Sequence, residues 1–196
     1  MNLNTYSPVE QANLLADMRL GSIRHRMVRI EDNAQDFTLV NELGDLVNLF
    51  DRLENRSIVL AFINGGETFE DQTILCELGK LRSSLDALNA SLLVIAPHSK
   101  ALDEHRNQCK QLNTEILHDV GNHVAHQYGL IPEPVYSTKE NYEDFANNHW
   151  SNEEPLPVTA VYAITPNRRI AFSYALTGPS FGLNTQELLA TLSQRS

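Results

Sequence analysis

Two cysteines, two adjacent carboxylates and a scatter of histidines are the side chains in this sequence with chemistry to offer. Cys76 lies within AFINGGETFEDQTILCEL, residues 61–78, where an apolar run ends in a glycine pair and a capped helix begins. A thiolate in the first turn of a helix is a nucleophile, because the unpaired N–H groups and the helix dipole favour the anion. Thr68 and Asp71 have capping-box spacing, with Asp in place of Glu or Gln. With Thr68 as the cap, Cys76 stands eight residues in (76 − 68), roughly 12 Å along at about 1.5 Å per residue. The dipole has faded by then. Cys76 would be an unactivated thiol opposite the leucines, with Lys80 favouring its thiolate slightly and Glu77 opposing. With a cap at Gln72–Thr73 instead, Cys76 enters the first turn and is a catalytic candidate.

The other reactive side chains have bland readings beside sharper ones. Cys109 shares a helical face with Leu102 and Leu112, as a small core residue would. Glu70 and Asp71 either cap the helix or act at its start, where the dipole that stabilises a carboxylate also makes it a poor base. His123 and His126 lie one helical turn apart, with His118 nearby. A closed metal site needs four ligands, so a solvent-facing pair is the simpler account. His98 follows a central strand, where open sheets place functional groups.

The elements that must hold these groups follow from pattern. Ser7-Pro8-Val9-Glu10 is a capping box that opens a helix, with Gly21 as its stop. FTLVNELGDLVNLF, 37–50, predicts a hairpin turning at Glu42-Leu43-Gly44-Asp45. Ser57–Phe62 and 91–97 are unbroken apolar runs, expected as central strands joined through a helix and therefore parallel. That helix carries Ile74, Leu78, Leu81, Leu85 and Leu88 on one stripe, with Asn89 as its stop. Residues 101–112 and 119–128 read as helices, the second closed by Gly129. Residues 131–157 read as a long loop with a helical turn at 142–145. Residues 158–164 and 169–175 form an antiparallel hairpin, and Asn184 caps a last helix with Leu188, Leu189 and Leu192 inward. The expectation is an α/β fold: a central mixed sheet flanked by helices, with an N-terminal helical extension over 1–34 and one domain over 35–196.

Composition sets outer limits. A chain of 196 residues with 42% apolar and 20% charged residues suits a soluble domain that needs no staples. A net charge of −10 argues against nucleic acid, and RHRMVR, 24–29, is too short to reverse that. No apolar run nears the roughly 20 residues of a membrane span, and no secretory signal is visible, so the cytoplasm is expected. Two cysteines 33 positions apart match neither a disulfide framework nor a zinc site. No cofactor is implied.

Several phrases, in order, resemble the peroxiredoxins, the alkyl hydroperoxide reductase and thiol-specific antioxidant family on a thioredoxin-like fold. They are FTLVNELGDLVNLFDRL, IVLAFINGG, LLVIAPHS, HDVGNHVAHQYGL and LPVTAVYAITPNRRIAFSYA, spanning roughly 35–194. The resemblance implies a thiol peroxidase, but the usual cysteines are missing. Gly65 and Gly66 match a glycine pair that one branch follows with cysteines. Thr68 to Asp71 matches a Thr-x-x-Cys motif with Asp in place of Cys. Thr159 stands where a proline commonly precedes the closing strand, and the arginine often found before the last helix falls near Gly182. The resemblance therefore implies a degenerate site in a binding or dimerising module. The rival is an active peroxidase in which a displaced Cys76 is oxidised to sulfenic acid, then restored by an external thiol or by Cys109 as resolving cysteine. Its partners would be a hydroperoxide and a thiol reductant, and family habit implies a homodimer.

Overall fold

The segment Ser57–Phe62 is buried at every position, as an unbroken apolar run in a central strand requires, and it is the axis of the sheet. The computed structural model describes residues 7, 18, 20–65, 68–97, 114–132, 156–177 and 182–195. Helix α1 is described over 20–26. There follow β1 (Thr38–Asn41), β2 (Leu46–Asn48), α2 (Leu49–Leu53), β3 (Ser57–Phe62), α3 (Phe69–Lys80), α4 (Arg82–Ala87), β4 (Ala90–Ala96), β5 (Glu115–His118), α5 (His123–Gln127), β6 (Ala160–Ile164), β7 (Ile170–Ala175) and α6 (Thr185–Gln194). The strands form one sheet in the order β2-β1-β5-β4-β3-β6-β7. β3–β4 and β4–β5 are parallel, and the remaining pairs are antiparallel. This is the mixed, helix-flanked sheet of a thioredoxin-like α/β fold.

The two-residue period of β3 divides the core. Ile58, Leu60 and Phe62 face one cluster with Leu49 and Leu53 of α2, Val124 and Ala125 of α5, and Tyr128. Val59, Ala61 and Ile63 face the other, with Ile74, Leu75 and Leu78 of α3, Leu85 of α4, and Leu188 and Leu192 of α6. Helices cover both faces because both are apolar.

Four local expectations are corrected. α1 runs past Gly21 to residue 26. There its end lies so close to Gly129 that a Cβ on that glycine would stand 2.3 Å from the Arg26 carbonyl oxygen. The leucine stripe is carried by two helices, not one. The Leu81 N–H bonds back to the Leu78 carbonyl at 3.0 Å, a tight last turn, and α4 starts afresh. Residues 119–128 hold a short 3₁₀ turn and then α5, broken where Gly121 (φ 75) and Asn122 (φ 52) enter the left-handed region. β5 was not expected at all. The first hairpin, the parallel β3–β4 pair, the Asn89 stop (φ 49) and the closing hairpin agree with expectation.

Residues 31–34 lie along the outer edge of β7. The Glu31 and Ala34 N–H groups donate to the carbonyls of Ile170 and Arg168, both at 2.8 Å, and the Ile170 N–H donates to Asp32 at 3.0 Å. The expected helix at 101–112 and the turn at 142–145 lie outside the described residues.

Candidate active site at the start of α3

Three chain segments meet where β3 gives way to α3. β3 ends at Phe62, and the chain turns through Gly65, whose φ of 110 lies in the region that favours glycine. Thr68 is the N-cap, its hydroxyl accepting the Asp71 N–H at 3.1 Å. The antiparallel pairing of β3 with β6 sets Ala160 opposite Phe62, which brings Thr159, the residue before β6, beside the same turn.

Asp71 is the centre of the arrangement. It is fully buried, at 0% exposure, in the first turn of α3, where the helix N-terminus favours negative charge. Its carboxylate accepts the Asn64 N–H at 3.1 Å and the Thr159 hydroxyl at 2.6 Å. The cap is therefore half as expected. Asp71's backbone serves Thr68, while its side chain reaches out of the helix to the end of β3 and the start of β6. A buried carboxylate held by such donors can lock three segments together and accept hydrogen bonds. It has no sulfur to receive an oxygen atom from a peroxide.

Cys76 sits further along. With Thr68 as cap and Phe69 as first helical residue, Cys76 lies eight residues in (76 − 68). The register that starts at Gln72–Thr73 is not the one adopted. Cys76 is half-buried between Leu75 and Glu77, while the fully buried positions are Asp71, Ile74, Leu75 and Leu78. Glu70 is half-buried and Phe69 is 76% exposed.

The remaining expected residues scatter. His123 and His126 are exposed on α5, and His118 is half-buried at the end of β5. Among the described residues no group of three or more His, Cys, Asp or Glu is placed to hold a metal. Gly66, His98 and Cys109 lie outside the described residues.

Sequence reasoning missed two features near the core. Asp119, 1% exposed, accepts the Val124 and Ala125 N–H groups at 3.1 and 2.9 Å and so caps α5. Its signal was the HDVGNH phrase, read as motif rather than as a cap. Phe62, Tyr128 and Tyr162 form an aromatic cluster with centroids 5.0–6.1 Å apart. Burial holds both tyrosine phenols well above their usual range, with Tyr162 adding to the effect at Tyr128. The Tyr128 hydroxyl donates to the Gln35 carbonyl at 3.0 Å, whereas the Tyr162 hydroxyl is buried with no partner among the described residues. No helix among them is long and apolar enough to cross a membrane.

The AhpC/TSA family model matches residues 30–173. No curated protein matches the chain. Among solved structures, the chain is similar to the peroxidoxin BcpB of Mycobacterium tuberculosis at TM-score 0.69 and 17% identity, covering 86% of this chain and 99% of that one. It is also similar to a cysteine-to-serine mutant of PrxQ from Xylella fastidiosa at TM-score 0.65 and 17% identity, covering 85% and 96%. A third is the yeast mitochondrial 1-Cys peroxiredoxin, at TM-score 0.61 and 20% identity, covering 83% and 74%. At such identities the likeness speaks for the fold.

Proposed function

The chain belongs to the AhpC/TSA family, and we propose that within it this is a member with a degenerate site, a weak or inactive redox protein serving as a binding or dimerising module. One observation carries the reading. The position where a Thr-x-x-Cys motif would put its sulfur holds Asp71, buried and hydrogen-bonded to Asn64 and Thr159. Peroxide reduction needs a thiolate that attacks one peroxide oxygen, breaks the O–O bond and becomes a sulfenic acid. A carboxylate cannot take that step. Cys76, eight residues from the cap, lies beyond the reach of the helix dipole. In this reading Gly65, Gly66, Thr68, Asp71 and Thr159 are the remains of the site, and residues 1–34 extend a single domain of residues 35–196.

The rival is a peroxidase that works through a displaced Cys76, with Cys109 or an external thiol restoring it. The yeast mitochondrial 1-Cys peroxiredoxin uses glutathione and thioredoxin systems to resolve its thiol, and a Cys76 enzyme would need a reductant of that class. Hydrogen peroxide consumption with dithiothreitol separates the two. Wild type is expected to be no faster than a small-molecule thiol, and Cys76→Ser to change nothing. Fast turnover abolished by Cys76→Ser would overturn the reading. Light scattering on the intact chain tests the dimer.

A further inference from the structure

At the end of the sheet remote from Asp71 lies a cavity of about 410 Å³, bounded by the first residues of β3, β4 and β5, the β1–β2 turn, α2 and the α3–α4 junction. Its volume falls within the roughly 300–1,000 Å³ usual for small-molecule sites. The six residues of β3, at about 3.3 Å each, separate it from Asn64 by roughly 20 Å. It is therefore no part of the candidate active site.

Its lining joins two chemistries. Leu43, 84% exposed, and half-buried Leu92 give it open apolar surface, Ile58, Leu78 and Leu85 being already buried, and Arg52, Arg56 and Arg82 stand around it. The three arginines are not equally engaged. Arg52 is tied to Glu115 at 3.0 Å, and Glu115 also accepts from Asn41 at 2.8 Å. Glu42 accepts the Ile116 N–H at 3.1 Å, so two of the three carboxylates on the lining have fixed donors. The third, Asp86, is 3.8 Å from Arg82 in a pair where both side chains are more than half exposed, a contact of little strength. Arg56 donates to the Ser91 hydroxyl at 2.9 Å and has no carboxylate in ion-pair range among the described residues. A guanidinium offers five donors in a planar fork that suits a carboxylate. Arg56 and Arg82 thus hold unspent donor capacity beside an apolar wall.

We propose that this cavity binds an amphipathic organic anion, a carboxylate on a short apolar body, with Arg56 and Arg82 gripping the charge and Leu43 and Leu92 covering the chain. A plain inorganic anion would leave those leucines uncovered, and a neutral alkyl chain would leave the guanidinium donors unmatched.

Amide-resolved NMR titration of the full chain with octanoate tests this, with octanol and inorganic phosphate as separate arms. The expected result is saturable shifts confined to the amides around Ile58, Gly79, Ser91 and Thr114. An R56Q/R82Q double variant should bind at least tenfold more weakly while its distant amides and melting temperature stay as in wild type. Octanol or phosphate binding as tightly as octanoate would overturn the ligand class. Absent or unsaturable shifts, shifts centred elsewhere, or unchanged affinity in the double variant would overturn the site. Peroxide turnover plays no part in the readout, so the outcome is independent of the fate of Cys76 and Asp71.

Discussion

Asp71 of α3, bonded to the chain just past the carboxyl end of β3, and Arg56, just before its amino end, mark two ends of one strand about 20 Å long, and their surroundings treat charge in opposite ways. Asp71 is fully buried, and its oxygens are met by a strand-end N–H, a threonine hydroxyl and the pole of a twelve-residue helix. Arg56 is exposed, and its fork is matched by one serine hydroxyl. The first arrangement is matched from within: the chain supplies both the anion and its donors. The second leaves capacity beside a void. In a molecule whose fold belongs to a catalytic family, the better-formed polar site is thus the one with less left to bind.

That contrast can be broken at several points. Asp71→Leu should have the largest effect, about 3 kcal/mol of lost stability in urea unfolding, because it strands a part-buried N–H and a buried hydroxyl. Asp71→Asn keeps an acceptor and should lose roughly half as much. If both variants unfold like wild type, the matched description of this end fails. Thr159→Val removes one donor from the same carboxylate and should cost about 1.5 kcal/mol by the same assay.

Alkaline titration probes the aromatic cluster between the two ends. Tyr128 and Tyr162 have folded pKa values raised above the unfolded value near 10. Their contribution is fully present below about pH 10 and is lost as pH rises through it towards the folded values. At pH 11 each phenol should cost about 1.4 kcal/mol relative to neutral pH. Tyr162→Phe should therefore lose less stability between pH 8 and 11 than wild type, and should be near neutral at pH 7 because its hydroxyl has no partner to lose. Equal alkaline losses would refute the assignment to Tyr162. Thr68→Ala, which removes the cap of α3, should cost about 1 kcal/mol. The smallest effect is expected at the open end. Arg52→Ala breaks a pair in which Arg52 is 48% exposed, and a change above about 1 kcal/mol would mean that this end is more tightly built than described.

The elements legible in the sequence were those with a long or well-punctuated pattern. β3 and β4 announce themselves as unbroken apolar runs, Thr68 and Asn184 as caps, and Asn89 as a stop, and each of these signals is local. β5 escaped because four residues with only Ile116 and Leu117 buried carry no period, and the strand exists only through β4 and β1 on either side. The break at Leu81 escaped because the stripe continues across it. At the candidate site Thr68 and Asp71 were visible as a pair. The Asp71–Thr159 bond was not, since it joins residues 88 apart through a β3–β6 pairing that spacing does not encode. The arginines of the cavity were equally hidden, since three segments bring them together.

The strip formed by residues 31–34 bears on how the molecule behaves in company. β7 is the last strand of its sheet, and a bare border of peptide groups invites recruitment by a neighbour's border. By occupying the first stretch of that border with its own backbone, the chain makes itself a poor template for ribbon-like growth. A version begun after residue 34 would lose this shield together with the buried Ile23 and Ala34, and would be expected to self-associate in proportion to its concentration.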